Sequence, residues 1–204
     1  MRFILTPMII AASLAIAVPV SAKSSSKFES TVSAPTPQAV KIEVMLSDDL
    51  AYRADNLPEK LRDRSGARGF NAGFSGNGFY GERDLDRLTE RLEKKLERRL
   101  NKQGIQVDSE ASTILKVTLV DAKNNRPTLE QLSKQTSLSF QSFGTGGAEL
   151  SGELVNAGGT SLGTMSYAWY ENSIRDAAYT AGTWTDAHRA FDRFAKKAAK
   201  DLSE

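Results

Sequence analysis

Apolar residues recur along this chain with two different periods, and the points where the period changes divide it into elements. Val40, Ile42, Val44 and Leu46 alternate with Lys41, Glu43 and Met45, the two-residue period of a half-buried strand. From Asp84 to Gln103 the period lengthens, and Leu85, Leu88, Leu92, Leu96 and Leu100 fall on one face of a helix. Glu82, Asp84 and Asp86 open that helix, Arg98, Arg99 and Lys102 close it, and Gly104 follows as its terminator, all matched to the helix dipole. Ile114 to Val120 reads as a second strand. Leu115, Val117 and Leu119 share one face, while Ile114 and Val120 make the other apolar too, which predicts a place inside the sheet. Thr128 and Gln131 carry the spacing of a capping box for a short helical turn, and Leu138 and Phe140 alternate with serines as in a short strand or extended arm. Ala148 to Val155 and Thr160 to Glu171 flank Asn156-Ala157-Gly158-Gly159, a hairpin turn. Ala187, Ala190, Phe191, Phe194, Ala195, Ala198 and Leu202 then mark a terminal helix, with Thr183-x-x-Asp186 as its expected capping box.

The expected fold is α+β: a single small sheet of four to five strands over residues 39–204, with one β-α-β crossover, one β-hairpin and two amphipathic helices on one face. The strands joined by the crossover should be parallel.

The first 22 residues change the picture of where the chain works. Arg2 precedes an apolar run from Met8 to Val20, and Val20-Ser21-Ala22 has the small-x-small form of a signal-peptidase site, so a cleavable leader ending at Ala22 is expected. The run is shorter than the ~18 residues that span a bilayer. Lys23 to Gln38 is rich in Ser, Thr, Ala and Pro and reads as a flexible linker. The chain has no cysteine, so it offers neither a disulfide framework nor the lipid-bearing Cys of a lipoprotein at Lys23. These features predict a periplasmic or secreted protein without a stable membrane anchor after cleavage. A formal net charge of +2 gives no general attraction for nucleic acid.

Candidate chemistry is sparse. His188 is the only histidine, so a zinc site would need an uncommon set of carboxylates. It lies one helical turn from Asp192, but no Gly-x-Ser-x-Gly elbow accompanies the pair, and a surface histidine is the simpler account. Glu149 and Glu153 share a strand face at a separation of ~13 Å, too wide for a glycosidase pair. Gly76-Asn77-Gly78-Phe79-Tyr80-Gly81 matches the spacing of a dinucleotide-binding turn, but no buried strand leads into it. That sequence belongs to a Gly/aromatic-rich loop at 62–82, where Arg62, Arg64 and Arg68 stand beside Phe70, Phe74, Phe79 and Tyr80. Such a loop either folds over its own domain or orders on a partner through stacking. Arg68, Phe70, Phe74, Phe79 and Tyr80 are its candidate contact residues. A row of Arg83, Arg87, Arg91, Lys95 and Arg99 beside the leucine stripe is either a solvated helix flank or a partner-binding face.

Asp121-Ala-Lys-Asn-Asn-Arg-Pro-Thr128, Ser139-Phe-Gln-Ser-Phe-Gly144 and Trp184-Thr-Asp-Ala-His-Arg-Ala-Phe-Asp-Arg-Phe194 give the C-terminal half its resemblance to uncharacterised exported proteins of Gram-negative bacteria. The element order is similar to that of small α/β envelope accessory lipoproteins, from which this chain departs by lacking the lipid-bearing cysteine. The resemblance brings no catalytic residue. The expected function is therefore a non-enzymatic binding or accessory module of the cell envelope, its partner an envelope protein or glycan, with no cofactor, no metal and no nucleic acid. The alternative is an envelope hydrolase acting on peptidoglycan or an ester through a site that the sequence does not display.

Overall fold

The computed structural model describes residues 27–58, 74–179 and 182–204. Among these, six strands form one mixed sheet: β1 (Glu29–Ser30), β2 (Ala39–Leu46), β3 (Gln106–Val107), β4 (Ile114–Lys123), β5 (Gly147–Val155) and β6 (Ser161–Tyr170). Their order across the sheet is β1-β6-β5-β4-β2-β3. The helices are α1 (Asp48–Tyr52), α2 (Glu82–Lys102), α3 (Leu129–Lys134), α4 (Ile174–Ala178) and α5 (Thr185–Asp201).

The class and the crossover are as the periodicity predicts. β2 and β4 pair in parallel with α2 between them in sequence, and β4, β5 and β6 are antiparallel neighbours. β4 lies inside the sheet, paired with β2 on one side and β5 on the other. Leu115, Val117 and Leu119 of β4, Leu150 and Leu154 of β5, and Met165 and Tyr167 of β6 point into one core. The five leucines of α2 and the alanine-phenylalanine stripe of α5 close over it. Alternation leaves Met45, Lys116, Thr118, Ser151 and Glu153 facing the other way.

The strand count exceeds the expected four to five by the two-residue edge strands β1 and β3, which are too short to show a period. β1 also corrects the reading of 23–38 as an unstructured linker over the part described. Phe28 packs on Phe194 with ring centroids 6.2 Å apart, Ser30 donates to Asp201 at 2.6 Å, and Val32 and Ala34 lie against the core. A single phenylalanine in a polar stretch, repeated by Val32, supplies enough apolar surface to dock the segment. Leu138 to Gln141 is a turn rather than a strand, because Ser139 and Ser142 bond each other's backbone and leave Phe140 in solvent.

Thr183 does not cap α5. The cap position is Trp184, and Asp186 turns inward instead of closing a capping box. The Thr128–Gln131 box does form at the start of α3. The described end of the glycine-aromatic loop, from Phe74, tucks under α3. Gly78 adopts φ +75° there, and a Cβ on it would lie 2.0 Å from the Asn56 carbonyl oxygen.

Gly104, past the end of α2, has φ +83° with open space around its missing Cβ. Urea denaturation should therefore separate the two positions: Gly104→Ala should cost about 1 kcal/mol for the left-handed backbone alone. Gly78→Ala should cost ~3 kcal/mol because backbone must also move. Equal costs would mean that the loop is not held against Asn56.

Candidate functional site

The functional geometry begins where β4 ends. Asn124 and Asn125 are fully buried, where unpaired polar groups are costly; Asn125 is bonded through both ends of its amide, and Asn124 through its Nδ2, while Asn124 Oδ1 finds no partner among the described residues. Asn125 donates through Nδ2 to the Asp186 carboxylate at 2.5 Å, and its Oδ1 accepts the Asp186 backbone N–H at 2.8 Å. Its own N–H bonds the Thr183 carbonyl at 2.6 Å. Asn124 donates to Gln131 Oε1 at 2.6 Å, and Gln131 Nε2 reaches the Gly78 carbonyl at 2.9 Å. One dipeptide thus joins β4, the glycine loop, α3 and the start of α5.

Arg126 extends this junction to the surface. Its guanidinium donates to the carbonyls of Gln141 at 3.0 Å and Ala178 at 3.1 Å and lies 5.5 Å from the Phe143 ring. The segments it gathers carry large apolar side chains in solvent: Leu129 is 69% exposed, Phe140 75%, Ile174 57% and Tyr179 85%, with Phe143 partly exposed beside them. Leu129, Phe140 and Arg126 share the lining of one open hollow with Arg87.

A second surface runs from that hollow along the seam between α2 and α5. A groove of about 490 Å³ is lined by Arg87, Arg91 and Lys94 together with Asp84 and Glu90 from α2, by Trp184 at the cap of α5 and by His188 within it. It continues past His188 to Lys95, Arg189 and Asp192. Lys95, Arg98 and Arg99 all turn to the Asp192 carboxylate, at 3.6, 3.1 and 2.7 Å. Burial would raise the Asp192 pKa, but the Arg99 hydrogen bond and these cations hold it below the usual carboxylate range. His188 is half-buried, and burial followed by the charges of Arg91 and Lys95 lowers its pKa to about 4. Asp192 is thus committed to cations rather than to His188, which leaves no triad here.

A third cluster is internal. Arg53 is buried, and its guanidinium meets Asp121 at 2.7 Å and Asp49 at 3.0 Å. Tyr170 donates to the other Asp121 oxygen at 2.6 Å. Asp121 stands at an irregularity in the β4–β5 register, where the strand can turn it towards Arg53. Burial would raise its pKa, yet Arg53 and the Tyr170 hydrogen bond lower it. Burial likewise opposes the Arg53 charge, but Asp121, Tyr80 and Asp49 together outweigh it, so the Arg53 pKa is raised. Both oxygens of Asp121 are occupied, and the cluster ties α1 to the sheet. Glu149 lies opposite Asp121 on β5, and burial followed by the Asp121 charge raises its pKa. Glu153 pairs instead across from Lys116.

The five loop candidates separate. Tyr80 is fully buried, donates to the Ala122 carbonyl at 3.0 Å and packs edge-on against Trp184. Phe74 is buried as well. Phe79 is half-exposed at φ 54°, with the Lys134 ammonium 5.9 Å from its ring. Arg68 and Phe70 lie outside the described residues. Tyr80 and Phe74 therefore anchor the described end of the loop, from Phe74, to its own domain. The apolar rim and Arg53–Asp121 were not singled out in the sequence. An aspartate between Val120 and Ala122, where the alternation of β4 breaks, was the available signal for the second, and Asn124-Asn125 for the junction.

No protein-family model matches the sequence, and neither does any curated protein. Among solved structures, the chain is similar to a PelC dodecamer from Paraburkholderia phytofirmans at 7% identity and a TM-score of 0.41, over 83% of this chain and 94% of that one. It is also similar to a Xanthomonas campestris protein of the DUF330 family at 12% identity and a TM-score of 0.37, over 83% of each chain.

Two measurements check these electrostatics. Asp121→Asn leaves the buried Arg53 with only the exposed Asp49 carboxylate as counter-charge and should cost ~3 kcal/mol of unfolding free energy. Because the folded Asp121 pKa is depressed, its contribution is present above the ordinary carboxylate range and lost as pH falls through the folded value, so the variant should show a shallower acid limb. His188 should titrate near 4 by NMR. Its unfolded form takes up a proton near 6.5 while the folded form does not, so stability should fall between those values as pH drops, and His188→Gln should remove that slope. An imidazole midpoint near 6.5 would contradict its burial beside Arg91 and Lys95.

Proposed function

We propose that this protein is a non-enzymatic accessory module of the bacterial envelope, exported by its leader and working by docking a protein partner. The observation that carries this reading is the apolar rim around Arg126. Leu129 and Phe140 line one hollow with Arg126, Phe143 lies beside its guanidinium, and Ile174 and Tyr179 are exposed on the segment that Arg126 ties in through the Ala178 carbonyl.

Exposed apolar side chains cost nothing singly, but a grouped set with a polar frame marks a contact surface. Covering each would contribute about 1.5 kcal/mol or more. Their backbone is already ordered by side-chain hydrogen bonds, so docking would spend little on immobilising the loops. The occupied oxygens of Asp121 and the commitment of Asp192 to three cations favour this reading over the hydrolase alternative.

A photocrosslinking amino acid placed at Phe140 or Tyr179 in the exported protein should give the same discrete protein adduct from both positions, and none from Thr118 on the opposite sheet face. Arg126→Met should release the 139–143 turn from Ala178 and abolish the adduct without loss of export. Adducts that are equal at Thr118, or unaffected by Arg126→Met, would reject the rim as the docking surface.

A further inference from the structure

We infer that the seam between α2 and α5 is a binding site for an acidic polysaccharide, separate from the apolar rim and independent of what docks there. Arg87, Arg91 and Lys95 follow one another at four-residue spacing, so they stand about 6 Å apart along α2. From across the groove α5 adds Arg189 and Arg193, which line its continuation. The result is an elongated track of positive charge rather than a cup for one small anion.

The charge on that track is only partly neutralised internally: Arg189 pairs with Asp186 at 2.8 Å, whereas the α2 wall is left largely open. Among the described residues, Arg87 and Arg91 make no ion pair, and Lys94 meets Glu90 only at 3.9 Å. Asp192 is one carboxylate shared among Lys95, Arg98 and Arg99. Asp84, at the groove's other end, accepts the Trp184 indole N–H at 2.9 Å. The acids of α2 lie mostly on its other flank, at Asp86, Glu93 and Glu97. The small net charge of the whole chain thus conceals a one-sided distribution, and such a groove raises the local concentration of anions.

The lining selects among polyanions. Single-stranded nucleic acid is held by aromatic faces on which bases stack. Here Trp184 is only 6% exposed and Phe191 is fully buried, so the seam offers no open ring face. Leu88, in its floor, is 1% exposed and leaves no apolar slot for an acyl chain. A flexible chain of sugars bearing repeated carboxylates or other anionic groups needs neither feature. It needs spaced cations with polar groups between them, which Thr185 and His188 supply.

His188 makes the test specific, since it is the only imidazole in the chain and sits in the groove. Arg91, Lys94, Lys95 and Glu90 face it from α2, and Arg189 and Asp192 flank it on α5. An anion laid against these cations favours the protonated ring, so binding and His188 titration are coupled.

The experiment is titration of the full mature chain with polygalacturonate, read by the His188 ring signals, with neutral dextran and oligothymidylate in parallel. Polygalacturonate should shift those signals, raise the imidazole midpoint from about 4, and bind less tightly as salt increases. Arg87→Gln/Arg91→Gln should weaken binding about tenfold or more with thermal unfolding unchanged, since both side chains are exposed, whereas Arg87→Lys/Arg91→Lys should retain it. Three results would each overturn the assignment: no shift with polygalacturonate, equal binding of dextran, or undiminished affinity in the double Gln variant. Tighter binding of oligothymidylate at the same ring signals would transfer the seam to nucleic acid and reject the polysaccharide.

Discussion

The reciprocal pair of hydrogen bonds between Asn125 and Asp186 is the constraint on which both surfaces depend. Both residues are fully buried and sixty-one positions apart in sequence, and each satisfies the other's polar groups through side chain and backbone together. A carboxylate with no exposure must be hydrogen-bonded on every side, and Asp186 also takes the Gly146 N–H and the Arg189 guanidinium. The pair sets where α5 starts and how it is rotated, which fixes His188 and Arg189 in the seam. On the other side of the same dipeptide it fixes Arg126, and through Arg126 the rim.

This accounts for a helix start that breaks the usual rule. Helices normally satisfy their first N–H groups with a local Ser, Thr, Asp or Asn. In α5 the acceptor for the Asp186 N–H comes from the end of β4, so the helix is capped by tertiary structure. Locally the sequence Thr183-x-x-Asp186 has every mark of a capping box. A distant asparagine won because it also buries the Asp186 charge in a satisfied network, which a surface cap could not do.

The same contrast divides what was legible in the chain from what was not. The leucine stripe of α2, the alternation of β2 and β4, and the Asn-Ala-Gly-Gly turn are local patterns repeated several times over, and the structure follows them. β1 rests on Phe28 and Val32 alone, too few positions for a period, and becomes a strand only because β6 and α5 are already there to receive it. In the glycine loop, composition indicated aromatics and freedom of backbone, but not direction. Whether Tyr80 faced a partner or its own core was decided by the Ala122 carbonyl and the Trp184 ring, neither near it in sequence. The basic row on α2 was visible from spacing alone. That it forms one wall of a groove required knowing that α5 packs beside it, carrying cations of its own.

Charge placement explains how one domain keeps two surfaces of different character without either compromising the fold. Where a cation is buried it is paired: Arg53 has Asp121 and Asp49, an arrangement that holds α1 on the sheet and leaves no oxygen of Asp121 for chemistry. Where cations are exposed along the seam, water and salt moderate their repulsion, so Arg87 and Arg91 can remain without partners among the described residues at little cost to stability. Apolar side chains follow the converse rule. Within the core they are close-packed, whereas at the rim Phe140 stays exposed on a turn whose Gln141 and Ser142 carbonyls accept from the Arg126 guanidinium. Asp84, Arg87 and Thr183 line the ground common to rim and groove. A protein seated on the rim would therefore cover one mouth of the charged track, and the occupancy of either surface would bear on the other through sterics alone.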